Sequence, residues 1–117
     1  MRGGQARAGG LPGMTDEIGR VETLVASGVS WIVGVAIALG ADASVVLSLS
    51  TERWGDPVAN VRFAGVSGLR IADLHSDWGW DLQLTDVSGD GLDDISVRVM
   101  DPPLGRIAFF ARDVILE

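Results

Sequence analysis

Residues 31–50 read WIVGVAIALGADASVVLSLS, and this stretch decides the fold class. Valine and isoleucine dominate residues 31–39, and a second run, at 45–50, alternates apolar residues with serine after a turn-like segment. β-branched side chains favour pleated strands, and a turn between two such runs is typical of a hairpin. The apolar run spans eleven residues before Asp42, which is too short for a membrane-spanning helix. The stretch therefore predicts a β-hairpin at the centre of the core.

Further short strands follow this hairpin at regular spacing. Alternating or apolar runs, separated by turns rich in Gly, Asp and Pro, lie at 58–63, 69–74, 80–85, 95–99 and 106–115. Seven or eight such strands favour an all-β fold, mainly an antiparallel sandwich or a half-open barrel. Ahead of them, residues 16–26 place Ile18, Val21, Leu24 and Val25 at helical spacing, which predicts one short N-terminal helix. We expect a single β domain over residues 14–117, preceded by a disordered, glycine-rich tail at 1–13.

The composition of the 117 residues excludes several kinds of chemistry. There is no cysteine, so disulfides, thiolate nucleophiles and zinc fingers are excluded. All nine basic residues are arginine, which excludes lysine Schiff bases and the P-loop lysine. The one histidine, His75, lies near Asp73 and Asp77, but no nucleophile motif accompanies it. We therefore expect no catalytic residues and no enzyme activity.

The net charge and the lack of long apolar segments indicate which partners and locations are excluded. Sixteen acidic residues against nine arginines give a net charge of −7, the opposite of what a nucleic-acid-binding protein needs. Residues 1–13 lack the apolar segment of a signal peptide, and no run is long enough to cross a bilayer. We expect a cytoplasmic protein that binds neither nucleic acid nor membrane.

The negative charge is concentrated in the last part of the chain. Residues 1–72 hold six acidic residues and six arginines, whereas residues 73–117 hold ten and three. Within 73–101, eight aspartates accompany Arg98 alone. Like charges repel each other in a folded domain unless a cation or a basic partner relieves them. Two interpretations stay open: a solvated face, or a binding surface for a metal ion or a basic protein.

Residues 86–94, with the sequence DVSGDGLDD, form the most specific local motif. A tight loop could offer calcium several oxygen ligands: the side chains of Asp86, Ser88, Asp90 and Asp94 and the backbone carbonyl of Leu92. The stretch resembles the calcium loops of integrin-like β-propeller repeats, and this resemblance implies calcium as a cofactor. The alternative needs no cofactor, because an Asp-Gly pair between two alternating strands is also a strong hairpin signal.

Residues 75–81, with the sequence HSDWGWD, place two of the four tryptophans in a polar, turn-like stretch. Tryptophan is a preferred anchor in protein interfaces, since its large rigid ring buries much area at low entropic cost. We therefore predict an interface for a basic protein partner that contains Asp77, Trp78, Trp80, Asp81 and Asp93. The alternative is that one or both rings cap the end of the core.

A longer stretch of the chain carries a second resemblance. Its pieces are VRFAGV at 61–66, LRI at 69–71, DVS at 86–88, LDDI at 92–95, VRV at 97–99 and IAFFARDV at 107–114. Residues 58–117 thereby resemble small bacterial β-proteins, some of which are grouped with the predicted immunity proteins of polymorphic toxin systems. This resemblance implies stoichiometric binding of a toxin without catalysis. The aspartate-rich face would then mimic a substrate polyanion or pair with a basic toxin surface, and charge would steer the association.

Overall fold

The computed structural model describes residues 14–72, 78–90, 95–101 and 106–117. Within these ranges, nine strands form two antiparallel sheets, and one α-helix packs with them around a shared core. The sheets do not close into a barrel in the part of the chain that is described. The predicted all-β class with a short N-terminal helix is thus confirmed. The helix is α1 (Met14–Ala26), and the strands are β1 (Trp31–Ala38), β2 (Ser44–Ser50), β3 (Ala59–Ala64), β4 (Ser67–Ile71), β5 (Trp78–Gly79), β6 (Gln83–Asp86), β7 (Val97–Met100), β8 (Ile107–Ala111) and β9 (Asp113–Leu116).

Helix α1 begins two residues before the predicted range and ends where a glycine allows it to end. Gly28 has a φ of 114°, its N–H donates to the carbonyl of Val25, and the Val29 N–H donates to the carbonyl of Leu24. These two bonds form a Schellman motif, which satisfies carbonyls that the helix itself leaves unpaired. With 13 residues, α1 is too short to cross a membrane, and the described residues contain no longer helix.

The predicted hairpin is present, but its two strands differ in burial. The first sheet has the order β9-β3-β2-β1-β5, and β1 pairs with β2 over its whole length. β2 is central and buries the side chains of Val45, Leu47 and Leu49 completely. β1 has only the two-residue β5 as its other described neighbour, and Ile37 and Leu39 near its end are 45% and 84% exposed. The predicted position of the hairpin at the centre of the core is therefore confirmed for β2 and wrong for the second half of β1. The apolar character of a strand does not determine where it lies in the sheet.

Two chain segments bend so that each contributes to both sheets. β3 leads into β4 through Gly65 and Val66, and β8 leads into β9 through Arg112 alone. Gly65 has a φ of 64°, and a Cβ at this position would lie 2.8 Å from the Cβ of Arg112. The close approach of the two bends therefore requires glycine. Bends of this kind form the corners between packed sheets.

The core lies between the first sheet and a second sheet of order β4-β8-β7-β6. Phe63 and Phe109 meet there in an edge-to-face contact, with ring centroids 5.0 Å apart. Side chains from both sheets surround this pair, among them Val61, Val97, Val99 and Ile107. Helix α1 adds Ile18 and Val21 to the core, and its Glu17 carboxylate accepts a hydrogen bond from the Leu116 N–H on β9.

Candidate functional site at the tryptophan end

All four tryptophans lie at the end of the domain where β1 begins and β2 finishes. Trp31 on β1 pairs with Ser50 on one side and with Gly79, the residue between Trp78 and Trp80, on the other. Arg53, which follows β2, contacts the rings of both Trp31 and Trp54. We call these four tryptophans, together with Arg53, the tryptophan end. The sequence motif at 75–81 indicated only half of it.

Trp78 belongs to the buried part of the tryptophan end. It is 3% exposed, and the guanidinium carbon of Arg106 lies 5.3 Å from its ring centroid. The Arg106 Nε donates to the Asp101 carboxylate at 2.6 Å, and Asp101 is 1% exposed. The burial of Trp78 favours the alternative in which this ring caps the core. Asp101 lies inside the molecule with an ion-pair partner, so it is not part of a solvated acidic face.

The buried ion pair has an exposed carboxylate beside it, and two buried polar atoms of the cluster have no hydrogen-bond partner among the described residues. The Asp81 carboxylate lies 3.8 Å from Nη2 of Arg106, while the Asp81 side chain is 61% exposed. Asp101 Oδ1 and Trp78 Nε1 form no hydrogen bond with any residue that the structure describes. A buried polar atom without a partner costs about 1–3 kcal/mol. The cluster therefore depends on the one strong Arg106–Asp101 contact.

Trp54 is the exposed tryptophan of this end. Its residue exposure is 69%, and the guanidinium carbon of Arg53 lies 5.6 Å from its ring centroid and 5.0 Å from that of Trp31. Trp54 is the third residue of a turn closed by the Gly55 N–H donating to the Glu52 carbonyl. Its φ of 62° makes it the one non-glycine residue with positive φ in the described part of the chain. Such a position favours glycine or asparagine, and a bulky residue there is strained by roughly 1–3 kcal/mol.

The structure brings together part of the predicted interface. Trp80 is half-buried, packs against the core, and donates its backbone N–H to the Ser30 carbonyl at 2.8 Å. Asp81 is exposed beside it, whereas Asp77, Asp93 and the histidine His75 lie outside the described residues. The residues that sequence reasoning missed are Trp31, Arg53 and Trp54. The sequence does contain a signal for the exposure of Trp54. This tryptophan follows Glu52 and Arg53 and directly precedes Gly-Asp-Pro, a pattern typical of a surface turn.

The loop at 86–94 joins two paired strands. β6 and β7 are antiparallel, with Asp86 opposite Val97, so the predicted pairing of these two strands is confirmed. Oδ1 of Asp86 accepts hydrogen bonds from the Ser88 N–H at 2.9 Å and from the Ser88 hydroxyl at 2.6 Å. Asp90 ends a short 3₁₀ turn, and Leu92 and Asp94 lie outside the described residues.

Of the proposed calcium ligands, the structure therefore describes only the side chains of Asp86 and Ser88. The two hydrogen bonds from Ser88 to Oδ1 of Asp86 hold these two side chains together. Within the described ranges, no three His, Asp or Glu side chains come together in a way that could hold a metal ion.

Comparison with known proteins adds no relative. No protein-family model matches the chain, and no match was found among curated proteins or among solved structures. Function is therefore inferred from the geometry of the tryptophan end.

Proposed function

We propose that the protein is a non-catalytic protein-binding module that holds its partner at the exposed part of the tryptophan end. The observation that carries this proposal is Trp54, a large apolar ring that is 69% exposed and held in a left-handed conformation. Strained residues with no stabilising burial are found at binding sites, where the surrounding structure holds them in place. Tryptophan is also the residue type most enriched among the energetically dominant residues of interfaces.

Acidic residues next to Trp54 and Trp80 in the sequence fit a basic partner. Glu52 and Asp56 flank Trp54 in the turn, both exposed, and Asp81 is exposed near Arg106. Together with the net charge of −7, these carboxylates would attract a basic surface and raise the rate of encounter. Following the resemblance carried by residues 58–117, we propose that the partner is a basic toxin. The protein would then act in the cytoplasm as an immunity-type inhibitor.

The test compares capture of a partner by the full chain and by two variants with matched losses of exposed apolar surface. Trp54→Ala removes the proposed anchor, and Leu39→Ala removes an 84% exposed side chain near the far end of β1. We expect Trp54→Ala to weaken binding of the protein captured from native cell lysate by at least tenfold, because truncation of an interface anchor commonly costs about 2 kcal/mol or more. Leu39→Ala should bind as the unaltered chain does. The proposal is wrong if both variants capture the same protein equally well.

A charge-reversal variant separates the acidic contribution from that of the ring. Reversal at Asp77, Asp81 and Asp93 should slow association and make the remaining binding less sensitive to salt, since exposed charges act mainly on the association rate. Surface plasmon resonance at two salt concentrations measures both effects. Unaltered kinetics in this variant would assign the interface to the aromatic residues alone.

The calcium site at 86–94 is a second candidate function, favoured by the Asp86 and Ser88 oxygens that lie 2.6 Å apart. A ligand that binds only the folded state stabilises it by mass action, by about 2.7 kcal/mol at a concentration 100-fold above Kd. If the site exists, millimolar calcium raises the melting temperature relative to excess chelator. This increase should disappear in Asp86→Ala and persist in Asp42→Ala, an exposed aspartate in the β1–β2 turn. An unchanged melting temperature in the unaltered chain excludes the site.

A further inference from the structure

The outer face of the second sheet has a charge opposite to that of the whole protein. Alternation along the strands turns one set of side chains away from the core, namely Arg70, Gln83, Thr85, Arg98, Met100, Ala108 and Phe110. We call this set the arginine face. It contains two arginines and no acidic residue, in a chain whose net charge is −7. The acidic residues of the same part of the sequence lie in the connections between strands or at strand ends.

The register of the strands places the two arginines on either side of an apolar centre. Arg98 on β7 lies opposite Phe110 on β8, and Arg70 on β4 lies opposite Ala108 on the same strand. A shallow depression of about 160 Å³ lies between them and is lined by Gly68, Arg70, Arg98, Met100, Ala108 and Phe110, among others.

Gly68 keeps this apolar centre accessible. It lies in an irregularity of β4 with a φ of 64°, and a Cβ there would be 3.5 Å from the Phe110 ring. With glycine, no side chain from this position covers the ring. Phe110 is consequently only half-buried, although the residues on either side of it, Phe109 and Ala111, are buried.

The arginines of this face also differ from others in the molecule in their ion pairing. Neither Arg70 nor Arg98 forms an ion pair with a described residue, whereas four other arginines do: Arg20 with Glu17, Arg62 with Glu117, Arg106 with Asp101, and Arg112 with Asp42. A guanidinium offers five donors in a planar fork that matches a carboxylate. The donors of Arg70 and Arg98 are therefore available to an external acceptor.

We propose that the arginine face binds an acidic, extended segment of a partner protein. One carboxylate of the segment binds Arg70, a second binds Arg98, and an apolar side chain between them covers Phe110. Arg70 and Arg98 belong to strands separated by β8 and lie opposite residues that are two positions apart along it, so their backbones lie about 12 Å apart. Side chains on one face of an extended chain recur every second residue, so two carboxylates that flank an apolar side chain on that face are four residues apart, roughly 13 Å, which spans this separation with the reach of the arginine side chains.

A nucleic acid fits this face less well than an acidic peptide does. Affinity for nucleic acid comes mainly from many phosphate contacts, and this face offers two arginines on a strongly acidic chain. The apolar centre at Phe110 further favours a partner that carries an apolar side chain between its charges.

The test is an NMR titration of the ¹⁵N-labelled full chain with the blocked peptide acetyl-DELDE-amide. We expect shifts confined to the amides of β4, β7 and β8, and no comparable shifts with acetyl-KKLKK-amide. The double variant Arg70→Gln/Arg98→Gln should bind the acidic peptide at least tenfold more weakly. The matched control Arg20→Gln/Arg62→Gln loses the same charge at two ion-paired arginines elsewhere and should bind within twofold of the unaltered chain.

Several results would overturn the proposal. These are the absence of shifts at millimolar peptide, equal weakening in both double variants, or shifts of the same amides at lower concentrations of a ten-residue thymidine oligonucleotide. Concentration-dependent shifts of these amides without peptide would assign the face to a second copy of the chain and would also contradict it. The proposal does not rest on the proposed function, because Trp54→Ala should leave binding of the acidic peptide unchanged.

Discussion

Two contacts between an arginine and a tryptophan in this protein have almost the same separation but differ in burial. The guanidinium carbon lies 5.3 Å from the ring centroid for Arg106 over Trp78 and 5.6 Å for Arg53 over Trp54. The first pair is buried and the second is exposed. Burial decides what each contact does, because an interaction between a cation and a ring is worth roughly 0.5–1 kcal/mol at an exposed site and about 2 kcal/mol or more where water is excluded.

The buried contact is structural. Taking the Arg106 guanidinium out of water is unfavourable, and the Asp101 carboxylate at 2.6 Å and the Trp78 ring together offset this loss of hydration. The contact also joins the two sheets, since Trp78 lies on β5 of the first sheet and Arg106 directly precedes β8 of the second. It therefore closes this end of the domain.

The exposed contact contributes less to folding than the buried one. The stacking of Arg53 on Trp54 is offset by the strain of a left-handed tryptophan, which is of similar or larger size. The proposed function rests on this combination of exposure and backbone strain at Trp54. Trp78 is thus buried where the two sheets meet, whereas Trp54 is largely exposed at the site where we propose that a partner binds.

The largest expected effect comes from breaking the buried cluster at its carboxylate. Asp101→Ala leaves Arg106 buried without its closest counter-charge and should lower the free energy of unfolding by about 3–5 kcal/mol. Urea denaturation measures this change. The control is Asp81→Ala, which removes the 61% exposed carboxylate on the other side of Arg106 and should cost less than about 1 kcal/mol.

A second variant keeps this test decisive if Asp101→Ala does not fold. Asp101→Leu/Arg106→Met removes both charges and should be more stable than Asp101→Ala alone, because no unpaired charge stays buried. Equal loss in the single and the double variant would mean that packing, and not the ion pair, stabilises this end. The ion pair between Arg106 and Asp101 would then not be what stabilises the buried contact.

Much of this fold could be predicted from the sequence because it depends on local patterns. The turn at 40–44 between two β-branched runs predicts the β1–β2 hairpin, and the Asp-Gly pair near residue 90 predicts the β6–β7 hairpin. The exposure of Ile37 and Leu39 could not be predicted from the sequence of β1. It depends on which strands lie beside β1, and in the described structure β2 pairs with β1 along its whole length, whereas β5 pairs with only two of its residues.

The candidate site was harder to predict because tertiary contacts assemble it. Strand pairing brings Trp31 beside Gly79, and the turn after β2 brings Arg53 between two rings that are far apart in the sequence. Asp101 shows the same limit for charge. In the sequence it is one of eight aspartates in an acidic stretch, and only the pairing of β7 with β8 reveals that it shares a buried position with Arg106.

The smallest expected effect on stability, and the sharpest contrast with Asp101→Ala, comes from the exposed ring. Trp54→Gly should change the free energy of unfolding by no more than about 0.5 kcal/mol, because the relief of left-handed strain offsets the lost exposed stacking on Arg53. Trp54→Ala also loses the ring but keeps most of the strain, so it should be less stable than Trp54→Gly by about 1 kcal/mol. Urea denaturation of both variants measures the difference. A loss above about 2 kcal/mol in Trp54→Gly would show that Trp54, like Trp78, supports the fold. The exposure of Trp54 would then no longer support the proposed binding function.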